Sequence, residues 1–237
     1  MTATLTLVDP TRRSSMGAAS FLSQLPAFAR SRLGAIDELA ELAVPRRLRR
    51  GERLWRQGEA ANGVGVVRSG VLLLNRMGEE HDVALDICGR GCFVGVVGGA
   101  RYDEAVAHED SALLWWPRES FERWLATHPE MIPAVLELAG DPGRRLASRL
   151  ALVTVNGART RLARLLLDLS DRFGVRDSRG VIVDLRLTHR EMAALIGATR
   201  ETVSVAMVEM RAHGTVASEG RRVVLLDLPA LREIAGR

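Results

Sequence analysis

Between Leu187 and His213 the chain reads LTHREMAALIGATRETVSVAMVEMRAH, and the surrounding sequence is organised around this stretch. Thr188 is a helix N-cap residue with Glu191 three positions on, the spacing at which a hydroxyl and a carboxylate satisfy two orphaned backbone N–H groups. Met192, Ala193 and Ile196 follow at helical spacing. Gly197 falls where the chain must turn sharply, and a residue without Cβ takes positive φ there at little cost. Thr199 caps a second helix whose Val203, Ala206, Met207 and Met210 share one face, and Gly214 is placed to stop it. The small Ala193 lets the two helices approach closely. This is a helix-turn-helix pattern. Its second helix starts with Arg200, Glu201, Thr202 and Ser204 away from the apolar face, as in helices that read base edges in a major groove.

A buried αα-hairpin shares the same periodicity, so the residues that follow matter. Thr215 to Leu226 holds two β-prone runs, TVAS and RRVVLL, either side of Glu219-Gly220, with Arg221 and Arg222 beside the turn. A basic hairpin directly after the second helix is a wing suited to phosphates. Two DNA-facing features in succession favour a nucleic-acid reading.

Composition is compatible with that reading. The 237 residues suffice for two modest domains, and 33 Lys and Arg against 29 Asp and Glu give a net charge of +4. The basic excess leans toward 144–164 and 200–222, which suits a polyanion, although scattered arginines also serve as a solvated helix face. No apolar run is long enough to span a membrane, and the N-terminus lacks a signal peptide's apolar centre, so a cytoplasmic protein is expected.

Residues 1–19, rich in Thr, Ser and small side chains, carry no sustained period and read as a flexible tail. Phe21, Leu22, Leu25 and Phe28 predict a short amphipathic helix within Ser20 to Arg30, bent near Pro26. Leu33, Ile36, Leu39, Ala40 and Ala43 predict a clearer one that stops before Pro45. From Pro45 to Pro117 short β-prone segments alternate with glycine turns, which suggests a sandwich or barrel. Gly51, Gly58, Gly70, Gly91 and Gly95 read as its corners. Trp115 and Trp116 face opposite ways on a strand, placing one of them in the core.

Phe121, Trp124 and Leu125 begin a helix after Pro117. Gly140-Asp141-Pro142-Gly143 reads as a break, with Asp141 capping a new helix and Pro142 at its first position. Leu146, Leu150 and Val153 then recur at nearly coiled-coil spacing and predict a homodimer seam; packing on the barrel is the other use of such a face. Asn156-Gly157 reads as a hinge, Arg159 to Phe173 as a helix, 177–180 as a turn, VIVDLRL as a strand and Leu228 to Ala235 as a closing helix. The expected architecture is α+β. It comprises a flexible tail (1–19), a jelly-roll-like β-barrel with flanking helices (20–128), a helical dimerisation linker (129–156) and a winged helix-turn-helix domain (157–237).

From about Leu33 to the C-terminus this order resembles the Crp/Fnr superfamily of bacterial transcription factors, named for the catabolite activator and the fumarate/nitrate regulator. The likeness is most specific in LTHREMAALIGATRETVSVAM and looser in RRGERLWRQGEAA, VRSGVLLL and GRGCFVG. It implies a cyclic-nucleotide-binding-like barrel, a long dimer helix, a winged domain on double-stranded DNA and contacts to RNA polymerase. Carried over by position, it implies that Arg200 reads a guanine and Glu201 a cytosine amino group, with Ser204 and Val205 on the same base-facing side. Thr188, His189, Thr199, Thr202, Arg221 and Arg222 are then the phosphate contacts. A second base-reading arginine common in the family is replaced by Val205, which can touch a thymine methyl but cannot donate.

The sensor region departs further from the family. Its cyclic-nucleotide binders carry Phe-Gly-Glu before a short helix and, later, Arg-Ser or Arg-Thr. Here the matching stretch is Phe93-Val94-Gly95-Val96, so Val96 replaces the carboxylate that holds the ribose. The loop from Val97 to Arg101 is too short for the phosphate-binding helix, Tyr102 replaces the small hydroxyl residue, and Asp103 and Glu104 add repulsive charge. Arg101 stands at the phosphate arginine's position, yet without its partners it is expected at the surface. Val96, Arg101 and Tyr102 are therefore candidate effector contacts in a regulator that lacks ordinary cyclic-nucleotide activation.

No cofactor or metal site is predicted. Two cysteines exclude a four-iron cluster held by four thiolates of one chain. His81, Cys88, Cys92 and His108 are the conceivable haem ligands, and Cys88 and Cys92, flanking Gly89-Arg90-Gly91, are the candidates for a redox role. In a cytoplasmic protein buried reduced thiols are the default. A cupin-like enzyme needs a His/Glu metal cluster that five scattered histidines do not supply, and neither a phosphate loop nor a nucleophile elbow is present. A winged domain that binds protein alone is the other alternative, and Arg200-Glu201 argue against it.

Overall fold

A computed structural model describes residues 10–78 and 83–236, the side chains of 10–15, 96 and 97 excepted. Two compact units are present, one of residues 1–74 with 87–143 and one of 75–86 with 144–237.

The first unit opens with α1 (Pro10–Ser23), a 3-10 turn at Pro26–Phe28, and α2 (Leu33–Glu41). A helix from Pro10 corrects the reading of 1–19 as a loose tail; residues 1–9 lie outside the described chain. Its buried positions near the end are Ala18, Phe21 and Leu22, and small residues upstream give little hydrophobic period by which to detect it. Among the described residues eight strands follow, β1 (Val44–Leu48), β2 (Arg53–Trp55), β3 (Ala60–Ser69), β4 (Leu72–Arg76), β5 (Val83–Cys88), β6 (Phe93–Ala100), β7 (Glu104–Ala107) and β8 (Ser111–Pro117), with residues 75–76 of β4 and 83–86 of β5 falling in the second unit. They form two four-stranded sheets, ordered β1-β8-β3-β6 and β2-β7-β4-β5, a jelly-roll-like arrangement.

Position along β8 decides what each tryptophan does. Trp115 meets Trp55 of the other sheet at 6.2 Å between ring centroids. On β3 a Cβ at either Gly63 or Gly65 would come within 2.9 Å of the Trp115 ring, which explains a glycine at alternate positions. Trp116 points the other way, under α2 and α3 (Arg118–Thr127), where its Nε1 donates to the Leu39 carbonyl at 2.7 Å. Both tryptophans are buried, so the expectation that one belongs to the core is too narrow. Helices cover the outer face of the sheet with a cluster that includes Phe21, Leu22, Ile36, Leu39, Phe121 and Trp124, and the outward tryptophan joins it.

After a 3-10 turn at Pro129–Met131, α4 runs unbroken from Ile132 to Val153 with Pro142 in its interior. The predicted break and Asp141 cap are thus absent. An interior proline removes one i→i−4 bond and costs about 3 kcal/mol, but the helix is anchored on both sides of it. Ala134, Val135 and Leu138 are buried before it, and Arg145 and Arg149 make side-chain bonds after it.

The second unit contains α5 (Ala158–Phe173), β9 (Gly174–Asp177), β10 (Gly180–Val183), α6 (His189–Ile196), α7 (Arg200–Ala212), β11 (Val216–Glu219), β12 (Arg222–Leu225) and α8 (Leu228–Ile234). Its sheet order is β11-β12-β10-β9, with β10 antiparallel to both neighbours. Leu162, Leu165, Leu166 and Leu169 of α5 are fully buried and form the floor on which the helix-turn-helix rests.

Candidate nucleic-acid interface

The first helix of the motif is fixed by its cap. Glu191 N donates to Thr188 Oγ1 at 3.2 Å, and Thr188 N donates to the Glu191 carboxylate at 2.7 Å, completing a capping box. The Thr188 hydroxyl also donates to that carboxylate at 2.7 Å. Gly197 ends α6 at φ 60, ψ 52, the left-handed conformation that reverses the chain. Two arginines absent from the sequence reading secure this turn. Arg149 Nη1 donates to the Leu195 carbonyl at 3.2 Å, and Arg161 Nη2 donates to the Gly197 carbonyl at 3.2 Å. A cation at the end of a helix meets the negative end of its dipole, so both bonds are charge-assisted. Nothing local in the sequence marks them, because their partners lie 46 and 36 residues away.

Thr199 caps α7 by accepting from Thr202 N at 3.2 Å. Val203, Ala206, Met207 and Met210 are buried, which turns Arg200, Glu201, Thr202 and Val205 outward to solvent. Ser204 is only half-exposed: its hydroxyl donates to the Arg200 carbonyl at 2.9 Å and lies 2.8 Å from His189 Nδ1. His189 and Ser204 thus clasp the two helices together. Burial, followed by the charges of Arg211 and Arg200, holds the His189 imidazole below its ordinary pKa.

The wing is a hairpin in which Glu219 pairs with Arg222 across a two-residue loop. Gly220 takes φ 61 at the first loop position, where a tight hairpin turn of this length favours glycine. Arg221 at the loop tip is exposed. Arg222 is partly committed elsewhere, since its Nη2 pairs with Asp184 at 2.8 Å. Thr188 and Thr199 stand at the starts of the two helices, His189 and Thr202 lie in their first turns, and Arg221 is at the tip of the wing.

Comparison with known proteins accords with this geometry. Residues 45–128 match the cyclic nucleotide-binding domain model, and residues 160–234 match the Crp-like helix-turn-helix domain model. A CRP-like cAMP-activated global transcriptional regulator of Mycobacterium tuberculosis is 27% identical over 198 residues, covering 81% of this chain and 88% of the relative. A global nitrogen regulator of Synechococcus elongatus is 28% identical over 193 residues, covering 78% and 86%. The crystal structure of a CRP-family transcriptional regulator from Thermus thermophilus superposes with a TM-score of 0.70 at 26% identity, covering 81% of this chain and 97% of that one. The chain belongs to the Crp/Fnr superfamily. It is a transcriptional regulator with a helix-turn-helix DNA-binding domain, and its relatives are regulators rather than enzymes.

The sensor domain of this Crp/Fnr regulator holds the main correction. Arg101, expected at the surface, is 3% exposed. Its guanidinium lies 4.3 Å from the centroid of Trp55 and 5.7 Å from that of Trp115, and Nη2 donates to the Gly63 carbonyl at 2.8 Å. Cation–π stacking and one carbonyl hold it inside, in place of the carboxylate and helix that the sequence lacks. Tyr102 is exposed. Val96 pairs through its backbone with Gly63, and its side chain lies outside the described residues. No helix forms between Val97 and Arg101: β6 continues to Ala100, with Gly98 and Gly99 at positive φ.

Cys88 is buried and Cys92 half-buried, and no disulfide joins them. His108 is buried, and His81 lies outside the described residues. Among the described residues no group of three or more His, Cys, Asp or Glu is arranged to hold a metal ion. None of the described helices is long and apolar enough to cross a membrane. On α4, Leu146, Leu150 and Val153 are 37%, 59% and 40% exposed, leaving the predicted seam uncovered within one chain. Leu136, at 65%, is a further exposed apolar residue of α4.

Proposed function

We propose that this regulator binds a palindromic operator as a homodimer, with Arg200 and Glu201 reading base edges and Val205 contacting an adjacent position. The supporting observation is the start of α7, where a side-chain cap and four buried anchors fix a helix whose first polar residues are left exposed. Thr188, His189, Thr199, Thr202 and Arg221 hold phosphates, with Arg222 bracing the wing through Asp184 as well as adding charge. Ser204 acts through His189 and the Arg200 carbonyl more than through a base. The α4 seam of Leu146, Leu150 and Val153 joins two protomers, because exposed leucines at this spacing gain from mutual burial. The protein works in the cytoplasm, contacts RNA polymerase once on DNA, carries no resident cofactor, catalyses no reaction and does not use ordinary cyclic-nucleotide activation.

Selection of bound sequences from a random DNA pool tests this reading. The expected result is a two-fold-symmetric site with half-sites about one helical turn apart, about 34–36 Å centre to centre. Recovery of sequences without symmetry or preference would overturn it.

A further inference from the structure

On α7 the residues turned fully away from the core follow one line. Glu201, Val205, Val208 and Ala212 stand four, three and four residues apart, opposite the buried Val203, Ala206, Met207 and Met210, and all four are exposed. Beyond Glu201 that line carries no polar side chain: Val205 is 59% exposed and Val208 is 55% exposed. Its flanks are polar. Arg200 and Arg211 border it on one side and Thr202 and Glu209 on the other, and Glu209 faces Arg159 at 4.0 Å. An apolar strip bordered by two exposed arginines thus occupies the outward face of the second helix of a DNA-binding helix-turn-helix, the face such helices turn to base edges.

We infer that Val205 and Val208 together form a surface that recognises the C5-methyl groups of pyrimidines in the major groove, supplied by thymine or by 5-methylcytosine. The inference rests on the proposed base-reading role of α7; it adds Val208 to that role and names the chemistry that both valines select. The C5-methyl is the apolar group that a base pair shows in the major groove. Facing guanine, adenine or unmodified cytosine, either valine would strip water from a donor or acceptor and return no hydrogen bond, which disfavours those bases. Facing a methyl, it removes two apolar surfaces from water at once. From Glu201 to Val208 the helix rises about 10 Å, within the about 12 Å width of the major groove, so both valines can meet base edges while Arg200 and Glu201 do. Val205 and Val208 are about 4.5 Å apart along the helix axis and so face the same or neighbouring base pairs.

The test uses the half-site recovered by selection from unmethylated DNA, which is expected to carry thymine beside the bases read by Arg200 and Glu201. Replacing such a thymine by deoxyuridine removes the methyl and nothing else. Anisotropy with the full-length protein should show affinity about fourfold lower for one lost methyl, and about fifteenfold lower when the matching methyl is lost from both half-sites. In a second arm the same position carries cytosine or 5-methylcytosine opposite guanine, and the methylated form should bind more tightly by a similar factor. Val205→Ala and Val208→Ala keep a good helix former at each position. The double variant should bind the thymine and deoxyuridine forms equally while still selecting the base read by Arg200. A selected half-site without thymine, or equal wild-type affinity for thymine and deoxyuridine at every position, overturns the inference and leaves the role of Arg200 standing. A methyl effect that persists in the double variant also overturns it, because another side chain then reads the methyl. Selection that recovers no preferred sequence sinks the base-reading role of α7 itself, and this inference with it.

Discussion

Replacing Arg200 by alanine isolates sequence reading from every other contribution to DNA binding. Arg200 is the first residue of α7, is exposed, and has no ion pair among the described residues, so its removal should alter folding stability by no more than about 0.5 kcal/mol. A side chain that bonds a guanine is worth about 1–3 kcal/mol of discrimination. In a two-fold dimer the contact is lost twice, at two separated half-sites whose effects add, which gives about 2–6 kcal/mol in total. Fluorescence anisotropy on the wild-type operator should therefore show a loss of affinity between about thirtyfold and about twenty-thousandfold at fixed salt. The sequence selected by the variant should also lose its preference at one base position in each half-site. Arg221, at the exposed tip of the wing, provides the contrast. Arg221→Ala should weaken all sequences nearly equally and flatten the salt dependence by about one unit per lost phosphate contact, about two for the dimer. If Arg200→Ala weakens binding while the selected sequence is unchanged, Arg200 is a phosphate contact and the register assigned to α7 is wrong.

Leu150→Asp should place an unpaired charge in the α4 seam and shift sedimentation toward monomer, with operator affinity falling in step; a wild-type protein that sediments as a monomer at micromolar concentration would refute the seam. Thr188→Ala removes both the cap to Glu191 N and the hydroxyl bond to its carboxylate, and should cost about 1 kcal/mol in urea unfolding of the C-terminal unit; an unchanged midpoint would show that the box is decorative. Because the His189 pKa is depressed on folding, the unfolded chain takes up the proton first as pH falls. Its contribution to stability is present above about pH 6.5 and is lost on acidification through the folded value, so unfolding between about pH 7 and 5 should be less pH-dependent in His189→Asn. Equal pH dependence in the two proteins would assign the effect to other groups.

The features that were legible in the sequence are those whose causes lie within a few residues. Thr188 and Glu191, Gly197, and Thr199 with Thr202 interact over one helical turn, so spacing alone gives both the capping box and the turn. The glycines at 51, 58, 70 and 91 take positive φ at turns, a backbone demand that residue type reports directly, whereas Gly95, also expected at a corner, takes positive φ inside β6. The break assigned to Gly140–Gly143 misled because a proline's local penalty is finite and can be outweighed by anchors on either side. Strand β9 was invisible because its four residues are all exposed and carry no alternation of apolar side chains.

Tertiary structure alone decided the rest, and Arg101 shows why. A motif comparison sees only its neighbours, Val96, Tyr102 and Asp103, and these argue against a buried cation. What buries it is Trp55, Gly63 and Trp115, brought by β2, β3 and β8 to one point between two sheets. In the same way Arg149 and Arg161 find the carbonyls of the helix-turn-helix turn only because α4 and α5 pack beside it. Sequence determines φ preferences, caps and periodic faces because these are energies of adjacent residues. The environment of a long charged side chain depends on strands and helices far apart in the chain, and only the packed fold specifies it.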